Sequence, residues 1–139
     1  MINLVHVKIN VDGQQEDAQL VCESSAVSIM FTRKNGYSKS YSDRNFYKCF
    51  GRVREDHPDI LFLCKGSKIN VHPSSMSSQM TLGLKAYELV LGKSAELADL
   101  VYIFDYEERD LTNKPKEQEE FFMQWIKSDK TSENLSDKA

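Results

Sequence analysis

Apolar and polar positions alternate from the first residues. Val5, Val7 and Ile9 share one face, and Leu4, His6 and Lys8 share the other. A period of two over residues 2–9 predicts a half-buried strand. Asp12-Gly13 and the polar run to Asp17 read as a loop. Ala18, Leu20 and Cys22 then line one face of a second strand. After the break at Ser24-Ser25, Val27, Ile29 and Phe31 mark a third. Asn35-Gly36 predicts a hairpin, because both central positions of a type I′ turn need positive φ. Residues 37–41 are expected to return antiparallel.

The period then changes. Phe46, Cys49, Phe50 and Val53 fall at i, i+3, i+4 and i+7, the apolar stripe of a helix. Ser42 offers an N-cap oxygen, and Pro58 stops the helix, which places it near 42–57. Residues 60–64 are apolar at every position and read as a central strand covered on both faces. Ile69 and Val71 continue a strand to Pro73, and Met76 and Met80, four apart, suggest a short helix before Gly83. Residues 87–91 and 100–105 alternate again, joined by a connection with room for one helical turn. Pro115 suits a helix start. Phe121, Phe122, Trp125 and Ile126 give the helix near 115–127 its apolar face.

Short turns between strands and few intervening helices predict an α+β fold. The expected architecture is a mostly antiparallel sheet of about six to eight strands, packed with two amphipathic helices. A single domain is expected over 1–127, with a polar, flexible tail over 128–139. Hydrophobic residues make up 40% of the 139 and charged residues 28%, ordinary for a globular chain. No run approaches the ~20 apolar residues of a membrane span. The N-terminus carries His6 and Lys8 where a secretory signal needs an unbroken apolar core. The expectation is a soluble cytoplasmic protein with no membrane partner.

Candidate chemistry is sparse. Cys22, Cys49 and Cys64 are scattered and odd in number, which fits reduced buried thiols better than disulfides. None has the C-x₂-C spacing of a zinc site, so no metal or cofactor is expected. His57 lies just past a helix end, and His72 precedes Pro73 at a strand end. With Cys64 they form the set that a small hydrolase would need, but nothing in the sequence brings them together. Ser67 and the serines at 74, 75, 77 and 78 lack the G-x-S-x-G context of a nucleophile elbow. The chain is therefore read as non-catalytic.

Charge carries more information. Residues 33–54 hold seven Lys or Arg against one acid, while residues 95–120 hold nine acids against three bases. Arg44, Lys48 and Arg52 recur every four residues and mark one basic helix face, a nucleic-acid surface in an alternative reading. The formal net charge of −3 argues against nucleic acid as a partner. Asp105, Tyr106, Glu107, Glu108 and Asp110 form an acidic rim with an aromatic centre. Such a rim suits a basic protein partner, since Tyr is a frequent hot-spot residue.

From Lys68 to Trp125 the chain resembles small standalone immunity proteins of bacterial polymorphic-toxin and contact-dependent growth inhibition loci. The resemblance rests on Asn70-Val71-His72-Pro73-Ser74, Met76, Met80, Lys85-Ala86-Tyr87 and Leu91-Gly92-Lys93. It continues through Leu100-Val101, Ile103-Phe104-Asp105-Tyr106, Glu120-Phe121-Phe122 and Trp125. It implies a cytosolic inhibitor of one cognate toxin domain, often a nuclease. The resemblance assigns no binding residue, so the acidic rim is expected from charge and exposure alone.

Overall fold

The computed structural model describes residues 1–130. Among them are eight strands in two antiparallel sheets and three α-helices, an α+β fold. β1 (Ile2–Val11), β2 (Gln14–Glu23), β3 (Ser28–Arg33), β4 (Ser38–Ser42) and β5 (Ile60–Phe62) form a sheet in the order β4-β3-β2-β1-β5. α1 (Phe46–Glu55) packs on its inner face. β6 (Val71–His72), β7 (Lys85–Glu88) and β8 (Leu100–Tyr102) form the smaller sheet, with β7 central. α2 (Ser75–Thr81) precedes β7, and α3 (Pro115–Lys127) closes the described chain.

The alternating residues meet in the core. Val7 and Ile9 of β1, Ala18, Leu20 and Cys22 of β2, and Ile29 and Phe31 of β3 are all buried. They pack against the α1 stripe of Phe46, Cys49, Phe50 and Val53 in one cluster. Val71, Ala86, Ile103 and Phe104 join that cluster from the smaller sheet and its exit. Full burial of a side chain of this kind contributes roughly 1.5–3 kcal/mol, so the shared face of α1 holds the two sheets together.

Several local expectations change. The polar run after Gly13 is strand, with Gln14 opposite Val11. Asp12 and Gly13 both take positive φ, +52° and +84°, so the primed two-residue turn sits here and polarity alone misled. Asn35-Gly36 is not that turn. Only Gly36 has positive φ, +95°. Its N–H donates to Arg33 O at 3.0 Å, closing a three-residue loop with glycine at the bulge. The N-cap of α1 is Asn45, whose Oδ1 accepts from Lys48 N at 2.9 Å, while Ser42 belongs to β4.

Residues 60–64 do not make a central strand. β5 is three residues long at the edge of its sheet, and Leu61 is 45% exposed. Leu63 and Cys64 are buried because the chain leaves the strand and turns into a 3₁₀ helix (Lys65–Ser67) beneath α1. Likewise, β8 ends at Tyr102, and Ile103 and Phe104 are both buried although alternation put them on opposite faces. The strand over 87–91 is shorter than expected, and Leu91 is exposed. In α3, Phe121, Phe122 and Trp125 are only half-buried, and Ile126 is 49% exposed. The one fully buried residue of that helix is Gln118. Of the expected tail, Ser128 is anchored, its Oγ accepting from Gly92 N at 3.0 Å, while 131–139 lie outside the described residues.

Candidate partner-binding surface

The acidic rim lies between β8 and α3, where two separate antiparallel bridges tie the chain to residues 63–69. Bridges pair Cys64 with Tyr106 and Lys68 with Leu111. Lys65 N donates to Asp105 O at 2.8 Å, Glu107 N to Leu63 O at 3.2 Å, Ile69 N to Asp110 O at 2.8 Å, and Thr112 N to Ser67 O at 2.9 Å. The loop backbone is thus tied at almost every second residue. Asp105, Tyr106, Glu108 and Asp110 are exposed on it, Tyr106 at 53%. The Tyr106 hydroxyl donates to Glu108 Oε2 at 2.9 Å, which fixes the ring beside a carboxylate. Asp110 takes φ +57°, a left-handed conformation that aspartate tolerates better than most residues.

Glu107 is the exception among the five rim residues. Its side chain is 11% exposed and turns inward to Lys65 at 3.0 Å and Lys68 at 3.1 Å. Glu88 of β7 completes the set, 3.3 Å from Lys65 and 2.9 Å from Lys68. Burial by itself would raise the Glu107 carboxyl. Hydrogen bonds from Lys65, the Arg109 backbone and Lys68 outweigh burial and hold it at about 2. Glu107 Oε2 also accepts from the backbone of Glu108 and Arg109, both at 3.0 Å. Unlike the other four rim residues, Glu107 has its charge already paired within the chain, and it organises the loop that carries them.

The basic face of α1 is real but smaller than the count of cations suggests. Arg44 precedes the Asn45 N-cap and so stands before α1, while Lys48 and Arg52 lie on it; all three are exposed, with Arg52 3.8 Å from Asp43. Arg33 is paired with Glu16 at 3.0 Å, and Lys39 with Asp56 at 2.8 Å. Arg54 is fully buried. Beside this face a groove of about 440 Å³ separates α1 from α3. Tyr47, His72, Phe122 and Met123 line its apolar part, while Lys48, Arg52, Glu55 and Glu119 bring charges of both signs to it. Nothing in the spacing of His72 and Phe122 signalled this groove.

The proposed hydrolase set does not assemble. His72 stacks on Phe122 with centroids 4.0 Å apart, and its Nδ1 lies 2.8 Å from Pro73 O. Burial pulls this imidazole below its ordinary value and favours the neutral ring. His57 sits past the other end of α1, with Nδ1 2.9 Å from Val53 O and Nε2 3.1 Å from Tyr37 OH. Cys64 is buried, and burial pushes its thiol to about 12. No hydrogen bond joins the three among the described residues. There too, no group of three or more His, Cys, Asp or Glu side chains is placed to hold a metal ion, and no helix is long and apolar enough to cross a membrane.

Comparison with known proteins finds no family model that matches the chain and no matching curated protein.

Proposed function

We propose that this protein is a non-catalytic immunity protein, which binds and neutralises one cognate bacterial toxin domain in the cytoplasm. Its contact surface is Asp105, Tyr106, Glu108 and Asp110. The observation that carries this reading is the pinned acidic loop. Four backbone hydrogen bonds to residues 63–69 hold three exposed carboxylates and a half-exposed phenol in one arrangement. A loop ordered before binding has little conformational entropy left to lose, so more of the contact energy appears as affinity. Carboxylates facing a basic surface, such as a nuclease uses to hold phosphate, speed encounter and suppress wrong partners. The immunity role itself rests on the resemblance over Lys68–Trp125.

The test is toxin binding by a variant carrying Asp105→Lys, Tyr106→Ala, Glu108→Lys and Asp110→Asn. Asparagine keeps the positive φ accessible at 110, and Glu107 is left in place because it holds the loop. Loss of toxin binding and of cell protection, with an unchanged circular dichroism spectrum, is the expected result. Full protection by this variant would refute the acidic surface. The second reading, nucleic-acid binding through Arg44, Lys48 and Arg52, is favoured by their exposure alone. It requires salt-dependent binding, and a flat RNA titration at low salt would end it.

A further inference from the structure

β4 is the open edge of the five-stranded sheet, and we infer that it pairs with β4 of a second copy of this chain to form a two-fold symmetric dimer. The phase of the β3–β4 ladder shows which backbone groups are free. Arg33 N donates to Tyr37 O at 2.9 Å and Asp43 N to Val27 O at 3.3 Å. Hydrogen-bonded pairs in an antiparallel ladder recur every second residue. Residues 37, 39, 41 and 43 therefore turn their N–H and C=O toward β3. Ser38, Ser40 and Ser42 point theirs away from the sheet, where no described residue receives them. All three serines are exposed. The opposite edge, β5, is three residues long and leads straight into a segment bridged to Tyr106.

β4 lacks the usual protections of an edge. It has no proline, no bulge within the pairing from Ser38 to Ser42, and no helix across it. Lys39 is the one residue of the kind that discourages pairing, and its charge is engaged. Its Nζ lies 2.8 Å from Asp56 and 5.3 Å from the Tyr41 ring centroid. Its backbone faces β3.

The surroundings select a second copy over other partners. A groove of about 440 Å³ follows the edge between β4 and α1, and its charged lining is Lys39, Arg52, Glu55 and Asp56. Two cations and two anions on one patch suit neither a nucleic acid nor a strongly charged protein. A second copy brings the same balanced patch, so two-fold symmetry sets no net charge against net charge. The register also closes. Centred on Ser40, an antiparallel β4–β4 pair sets Ser38 against Ser42 of the other copy and Ser40 against itself. These are the residues with free backbone groups. Lys39 then lies opposite the other copy's Tyr41 rather than its Lys39, so the two Lys39 side chains are not directly opposed.

Sedimentation velocity over a concentration series of the full chain tests this. A pair of five-residue strands is a small interface, set against the roughly 1,200 Å² at which stable complexes begin. A reversible, concentration-dependent dimer is therefore the expected behaviour. Ser40→Pro removes only an outward N–H, leaving the β3 ladder whole, and edge strands accept proline. It deletes both central hydrogen bonds of the dimer, and at about fivefold for each the association weakens about 25-fold. If Ser40→Pro fails to fold, charge variants decide instead. Arg52→Glu weakens the dimer, and adding Glu55→Arg restores it. A protein that stays monomeric at its highest soluble concentration overturns the proposal, even if the edge captures a strand of another protein. So does a dimer that a folded Ser40→Pro variant leaves intact.

Discussion

Arg54 offers the sharpest test of how the two sheets are joined. It is wholly buried, and no carboxylate lies within ion-pair distance of it among the described residues. Its Nη1 donates to Thr112 O at 2.5 Å and its Nη2 to Gln118 Oε1 at 2.8 Å. The guanidinium lies over the Phe50 ring at 5.1 Å, and Nε has no partner. Burial pushes the group down to about 10, so it remains charged at neutral pH. Gln118 in turn donates to Gly66 O at 2.9 Å and Lys68 O at 2.8 Å. Arg54 therefore ties α1 to α3 and, through Gln118, to the 3₁₀ turn under the acidic loop. Arg54→Met keeps most of the volume and removes the buried charge. It also orphans two buried acceptors, each costing about 1–3 kcal/mol. Relief of the desolvated cation offsets part of this, since buried charges are often nearly neutral against apolar replacements. The expected net loss is about 2–3 kcal/mol. Arg54→Ala adds a cavity and should lose about 4–5 kcal/mol. Those losses are large beside the roughly 5–15 kcal/mol that holds a typical domain folded.

Urea denaturation followed by fluorescence of the single tryptophan, Trp125, and by circular dichroism gives the midpoint and slope. Coincident transitions with a lowered midpoint and unchanged slope are expected. A double-mutant cycle with Gln118→Met should return a coupling of about 1–2 kcal/mol. An Arg54→Met protein as stable as the wild type would refute this tie. Arg54 would then be a cost that the core carries.

Three further outcomes follow from the same contacts. Glu107 is held below its unfolded value, so its contribution is present above about pH 4.3 and is lost as pH falls toward 2. Glu107→Gln should flatten the fall in stability across that window, read as urea midpoints at successive pH values. At Gly66 an added Cβ would sit 2.9 Å from Ile103 Cβ and 3.2 Å from Phe50 Cδ2, so Gly66→Ala should destabilise by about 1–3 kcal/mol through overpacking, measured by the same melt. Burial raises the thiols of Cys22 and Cys64 to about 12 and that of Cys49 to about 11. All three should resist a maleimide in the native protein and react in urea, as counted by intact mass.

Periodicity made the large sheet and its helix legible, because burial on one face imprints the backbone period directly on side-chain type. The inner residues of β1, β2 and β3, and the stripe of α1, could be read this way. The apolar runs near the smaller sheet could not. At Leu63-Cys64 and Ile103-Phe104 the chain turns inward, and consecutive residues are buried by a bend rather than by a covered strand. Turn chemistry was ambiguous because Asp-Gly and Asn-Gly both allow the primed turn, and strand pairing decided which one forms it.

The candidate surface divides in the same way. The sequence by itself determined where acidic residues are dense, since composition is local. Only the tertiary structure decided which charges are free. Lys65 and Lys68 lie about forty residues before Glu107 and consume its charge. Arg54, counted by composition with the basic face, is withdrawn into the core by Thr112 and Gln118, 58 and 64 residues away. A charge's availability depends on what lies within about 4 Å of it, and for these groups that neighbourhood comes from distant parts of the chain.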